Sequence, residues 1–237
     1  MRSERHPADS ASGAHDHPPP GLVKAGAVAG LAVFAAAALA VGAGWTDGID
    51  RAVLLSLREA GDPSNPIGPP WFEEAAAEIT ALGGYPVLVT VSAVVLGVLL
   101  LLGKRAASAF LVVALIGGTA LSTALKLVFE RPRPDLVEHL DRTFTASFPS
   151  GHATVGMLAW LTLAAIALPF VPQRRVRVFL LGAAFALALA IGASRVYLGV
   201  HWPSDVVAGW GLGLAWASLA WLAARGLRER GNRRGEG

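Results

Sequence analysis

Six long apolar blocks constrain what this chain can fold into more than any other feature. They run approximately over residues 21–44, 85–102, 106–129, 151–171, 176–193 and 206–224. A helix needs about 20 apolar residues to cross the hydrocarbon of a bilayer, so each block is close to one spanning length. None shows the alternation of a strand. Ala, Leu, Val and Gly dominate, and small residues let helices approach closely in lipid, where packing drives association. Only 16% of the 237 residues are charged, against about a quarter in soluble domains. The pattern predicts an all-α fold, a six-helix transmembrane bundle, in which residues 21–225 form the membrane domain.

The segments outside the blocks read differently. Residues 1–20 are polar and proline-rich and predict a disordered cytoplasmic tail, in which His15 and His17 lack a third metal ligand. Residues 226–237 read as a basic cytoplasmic tail. The first connection, an outer loop over 45–84, contains two helical stretches, 49–60 behind Asp47 as N-cap and 71–82 behind a Pro-Pro start. Short interfacial helices fit both, and the linker at 61–70 is turn chemistry. The chain has no cysteine, which excludes disulfides and thiol catalysis. Its basic residues flank apolar blocks without interleaved aromatics, so nucleic acid is not an expected partner.

Loop charge orients the bundle. Lys24, Lys104, Arg105, Arg174, Arg175, Arg177, Arg225 and Arg228 all fall on even-numbered connections or tails. The first connection is acidic, with Asp47, Asp50, Glu59, Asp62, Glu73, Glu74 and Glu78. By the positive-inside rule both termini are cytoplasmic and the odd-numbered connections lie outside.

Three clusters on those outer connections carry candidate chemistry. Lys126 lies in an apolar run just before Arg131 and Arg133, and an intramembrane cation is costly unless it is used. Lys126 snorkelling to the interface is the plainer alternative. Pro149-Ser150-Gly151-His152 opens a helix, whose N-terminus suits an anion, although a capping serine beside an incidental histidine explains it equally well. Asp205 follows His201 by four residues, so one carboxylate can hold an imidazole and leave its other nitrogen free. A capping aspartate beside a structural histidine is the rival reading there. Taken together the clusters bring two histidines, a carboxylate and several cations to one side of one bundle.

The clusters resemble the signature of the type 2 phosphatidic acid phosphatase superfamily. Its pattern is Lys, six residues, Arg-Pro; Pro-Ser-Gly-His; Ser-Arg, five residues, His, three residues, Asp. This chain has Lys126, Arg133 and Pro134; Pro149 to His152; Ser194, Arg195, His201 and Asp205, with Leu82-Gly83-Gly84 also shared. The resemblance covers residues 47–221. It implies a membrane lipid phosphatase working through a phosphohistidine on His201, oriented by Asp205, with His152 as acid and then base. Lys126, Arg133, Ser150, Gly151 and Arg195 would hold the phosphoryl oxygens. No carboxylate cluster suits magnesium, so neither metal nor cofactor is expected. A lipid transporter is the rival from another class, but its charges would line the midplane rather than one face.

The implied partners are a lipid phosphate and the bilayer. The Ala, Gly, Val and Arg bias suggests a bacterium with a GC-rich genome. Four cations, Lys126, Arg131, Arg133 and Arg195, exceed what one phosphate needs. That surplus favours undecaprenyl diphosphate as substrate, with phosphatidate or phosphatidylglycerol phosphate as the alternative.

Overall fold

The computed structural model describes residues 18–141 and 145–235, so most of the N-terminal tail, including His15 and His17, lies outside the described residues. Helix α1 (Pro20–Gly42) is followed by α2 (Asp47–Ser56), a small hairpin of β1 (Arg58–Glu59) and β2 (Asp62–Pro66), and α3 (Pro70–Ala81). Then come α4 (Tyr85–Leu101), α5 (Arg105–Phe129), α6 (Gly151–Ala167), α7 (Arg174–Tyr197) and α8 (Pro203–Gly235). Five of these helices, α1, α5, α6, α7 and α8, are long and apolar enough to cross a membrane. Helices α3 and α4, bent by 45° at their break, pass the same test only as a pair and make a sixth crossing if they form one span. The all-α architecture thus agrees with the reading of the sequence.

The outer loop differs in detail. Thr46, not Asp47, precedes the first turn of α2, and the helix stops at Ser56 rather than near residue 60. Beyond it Arg58 pairs with Pro66 and Glu59 with Asp62, so the strand ladder takes the backbone groups that further helix would have used. The stretch at 61–70 therefore contains a strand as well as turns. Asp62 Oδ1 tightens it by accepting from the Ser64 N–H at 3.0 Å and its hydroxyl at 2.6 Å.

Helices α6 and α8 form the centre, with half of each spanning window buried, whereas α1 has only 11% buried. Large side chains such as Leu39, Val113 and Phe179 project outward, mostly exposed, as expected of surfaces meeting acyl chains. The central pair is close because α8 has glycine where it crosses α6. A Cβ on Gly209 would lie 2.8 Å from the Ser150 carbonyl oxygen, and one on Gly213 would lie 2.5 Å from that of Thr154. Indole N–H groups tie the bundle further: Trp216 donates to Ala114 O at 2.8 Å, Trp210 to Ala188 O at 3.0 Å and Trp160 to Leu82 O at 3.1 Å. In an apolar medium each of these donors would be costly to leave unpaired. This packing brings the start of α6, the start of α8 and the end of α5 to one end of the molecule.

Candidate active site

His201 and Asp205 are set by the way α7 hands over to α8. Arg58 donates to the Tyr197 carbonyl at 3.0 Å, closing the end of α7 from the outer loop. Gly199 then takes φ +75°, where an added Cβ would strike the Arg58 guanidinium and the Glu138 carbonyl at 2.8 Å. Pro203 opens α8, and Asp205 in its first turn accepts the Trp202 N–H at 3.0 Å. The same Asp205 Oδ2 lies 3.4 Å from His201 Nδ1 and accepts the Ser147 hydroxyl. Capping and histidine orientation, alternatives in the sequence, are performed by one carboxylate.

His201 is 1% exposed, and its Nε2 stands 3.1 Å from Arg133 Nη1. A proton on Nδ1, facing Asp205, leaves a lone pair on Nε2 directed at a cation. Burial pushes the imidazole down to about 3, against the opposing pull of Asp205, so the ring is neutral at ordinary pH. Neutral imidazole is the form that can act as a nucleophile.

Around it stand the other motif residues. Arg133 donates to Val200 O at 2.6 Å and Thr145 O at 2.8 Å, and burial followed by the nearby Arg195 lowers it only to about 10, so it keeps its charge. Lys126 Nζ reaches Ala146 O at 2.6 Å. Arg195, 1% exposed, bonds Asp141 at 2.6 Å and Thr80 of α3 at 3.0 Å. The charges of Arg195, Asp141, Arg133 and Lys126 all act on the His152 ring, which also lies against Gly84 of the Leu82-Gly83-Gly84 turn. Ser150 precedes α6 but makes no side-chain cap. Its hydroxyl and the Nε of Arg195 are buried with no hydrogen-bond partner. Gly151 leaves room beside Lys126, where a Cβ would come within 3.7 Å of the Lys126 Cε. All eight residues singled out in the sequence are thereby drawn into one cluster, although the first and last are 79 positions apart.

Arg131 does not join Lys126, Arg133 and Arg195 beside the two histidines. Its guanidinium bonds Asp205 Oδ1 at 2.6 Å, Ser204 Oγ at 2.7 Å and Asp50 Oδ2 at 2.8 Å. Asp50, wholly buried, also accepts the Ser204 N–H at 2.9 Å. Sequence reasoning missed Asp50, which is one of seven acids in its loop. The available signal was its position one helical turn before Leu54, on the buried side of α2. Ser147, the other missed residue, carries no signal beyond its nearness to Pro149. Among the described residues no group of three His, Asp or Glu converges as a metal site.

Comparison with known proteins places the chain in a family. The family model described as the PAP2 superfamily matches residues 107–229. The chain is similar to phosphatidylglycerophosphatase B of Bacillus subtilis, 31% identical over 165 residues that cover 68% of this chain and 77% of that one. It is also similar to an undecaprenyl-diphosphatase of Sulfolobus acidocaldarius, 40% identical over 73 residues, which is 31% of each chain. The crystal structure of a transmembrane PAP2-type phosphatidylglycerolphosphate phosphatase from Bacillus subtilis superimposes with TM-score 0.75 at 26% identity, covering 86% of this chain and 96% of that one. A histidine held by a buried aspartate, ringed by cations at one end of a helical membrane bundle and found in a chain so matched, identifies the protein as a membrane phosphatase of the PAP2 superfamily, a phosphoric ester hydrolase.

Proposed function

We propose that this lipid phosphatase hydrolyses a glycerophospholipid phosphomonoester of the phosphatidylglycerol phosphate type at the outer face of the membrane. The observation that carries the phosphate reading is the pair of buried, unpartnered donors, Ser150 Oγ and Arg195 Nε, near Lys126 and Arg133. Buried donors normally have partners, and an anion bound in the cluster would supply them. The outward orientation rests on the basic residues at the other end of the helices.

In the reaction His201 Nε2 attacks phosphorus in line with the ester oxygen. The P–O bond breaks, and the departing alkoxide takes the proton of His152. The phosphoryl group is then on His201. A water molecule gives a proton to His152, attacks phosphorus and releases inorganic phosphate, which restores both imidazoles. Lys126, Arg133, Arg195 and the α6 N–H groups neutralise the oxygens, which is most of what phosphoryl transfer asks of a protein. A phosphate bound beside His152 supplies negative charge that favours its protonated form.

The substrate class follows from where Arg131 is engaged. With Arg131 on Asp205 and Asp50, the surplus of cations that suggested a diphosphate is smaller. A cavity of about 340 Å³ is lined by Asp47, Asp50 and Asp135 together with Arg51, Arg131, Arg133 and Trp202. That mixed lining, with Arg131 already engaged by Asp50, offers carboxylates that accept the hydroxyls of a glycerol headgroup. Undecaprenyl diphosphate is the second reading, favoured by the similarity to a diphosphatase over the segment noted above.

The test is kcat/KM for phosphatidylglycerol phosphate, phosphatidate and undecaprenyl diphosphate in one detergent with excess EDTA. A tenfold preference for a glycerolipid, about 1.4 kcal/mol of transition-state binding, is expected. A tenfold preference for the diphosphate refutes the substrate assignment. Dependence on added magnesium refutes the metal-free mechanism.

A further inference from the structure

A second cavity lies at the opposite end from His201. It measures about 730 Å³ and opens between the α4–α5 turn, the end of α6 and the last turns of α8. Lys126 and Arg105 are 21 residues apart on α5, which at 1.5 Å per residue separates the two ends by about 30 Å, one hydrocarbon thickness. The catalytic cluster therefore has no share in this cavity.

Its wall and its rim have different chemistry. The wall is made by the apolar side chains Leu99, Phe110, Ile166 and Trp221, each no more than 9% exposed. The rim carries Lys104, Arg105, Arg225 and Arg228. Arg225 is engaged, lying 2.7 Å from Glu229 and over the Trp221 ring. Lys104, Arg105 and Arg228 have no carboxylate partner among the described residues. Cations gathered at the mouth of an apolar recess between helices are complementary to one kind of membrane component, a molecule with acyl chains and an anionic head. A zwitterionic lipid would leave the three cations unmatched, and a soluble anion would leave the apolar wall uncovered.

We propose that this cavity holds one anionic phospholipid of the leaflet opposite the active site. Its acyl chains lie against Leu99, Phe110 and Trp221, and its phosphate lies among Lys104, Arg105 and Arg228. The lipid fastens the α4–α5 hairpin to α8. It is a resident of the site and not a substrate, since the reacting histidine is a membrane thickness away.

The test uses the full chain reconstituted in nanodiscs of phosphatidylcholine and phosphatidylglycerol, extracted in mild detergent and weighed by native mass spectrometry. Phosphatidylglycerol is a phosphodiester and survives the enzyme. The wild type is expected to retain one phosphatidylglycerol in preference to phosphatidylcholine by roughly tenfold. Lys104→Gln/Arg105→Gln/Arg228→Gln is expected to lose that preference and keep its phosphatase activity in detergent, which also reports that it is folded. Arg174→Gln/Arg175→Gln, which removes charge at the same end but outside the cavity, is expected to behave as wild type. Should the triple variant be inactive, Arg105→Gln and Arg228→Gln are read singly by the same criterion. The proposal is overturned if the wild type shows no preference, if the rim variants retain it, or if the Arg174 and Arg175 variant loses it equally.

Discussion

Asp205 closes the first turn of α8 through the Trp202 N–H while its other contacts fix the ring of His201 and the guanidinium of Arg131. The orientation of His201 is thus inherited from the helix start, and Asp50 extends it by holding the far side of Arg131 at 2.8 Å. One guanidinium is shared by two buried carboxylates, and removing a member of such a set costs about 3–5 kcal/mol. Asp50→Asn keeps the shape but removes a charge, so Arg131 is free to shift on Asp205. We expect kcat to fall at least about tenfold with KM within about twofold, because the damage reaches the reacting atoms and not substrate binding. Steady-state kinetics on a lipid phosphate checks this, and kcat within twofold of wild type would show that Asp50 is only structural. The eight motif residues were legible in the sequence because their types and spacings are unusual in an apolar chain. Asp50 was not, because its partner Arg131 is 81 positions away and seven acids in the same loop look alike.

At the scale of elements, the positions of the five long apolar helices and of α4 were legible because a long apolar run has few alternatives. The hairpin was not, because Arg58–Glu59 and Asp62–Pro66 are too short and polar to show a period. Nor does composition say which small residues matter. Gly213 faces the Thr154 carbonyl at a distance that admits no Cβ, whereas Gly182 on α7 has nothing within 4 Å. Gly213→Ala should push α8 off α6, destabilise by about 1–3 kcal/mol and impair turnover by moving Ser150 and His152. Gly182→Ala should be neutral or slightly stabilising. Thermal denaturation in detergent compares them, and equal midpoints would contradict the tight α6–α8 contact.

For the molecule as a whole, the bundle gathers segments near residues 126–133, 150–152 and 195–205 into one site, and its basic end marks the opposite face. A cysteine at Glu74 should react with an impermeant thiol reagent added to intact cells, while one at Arg175 should not. The native chain has no cysteine to confuse the result, and the reverse pattern would put the site on the cytoplasmic face. The central claim is that His201 carries the phosphoryl group while His152 moves the protons. Rapid quenching of His152→Ala with a lipid bearing radiolabelled phosphate tests it most directly. The account predicts label on the protein that is acid-labile and alkali-stable, and none when His201 is also replaced by Ala. Label that persists without His201, or that is released by alkali as an acyl phosphate would be, contradicts it.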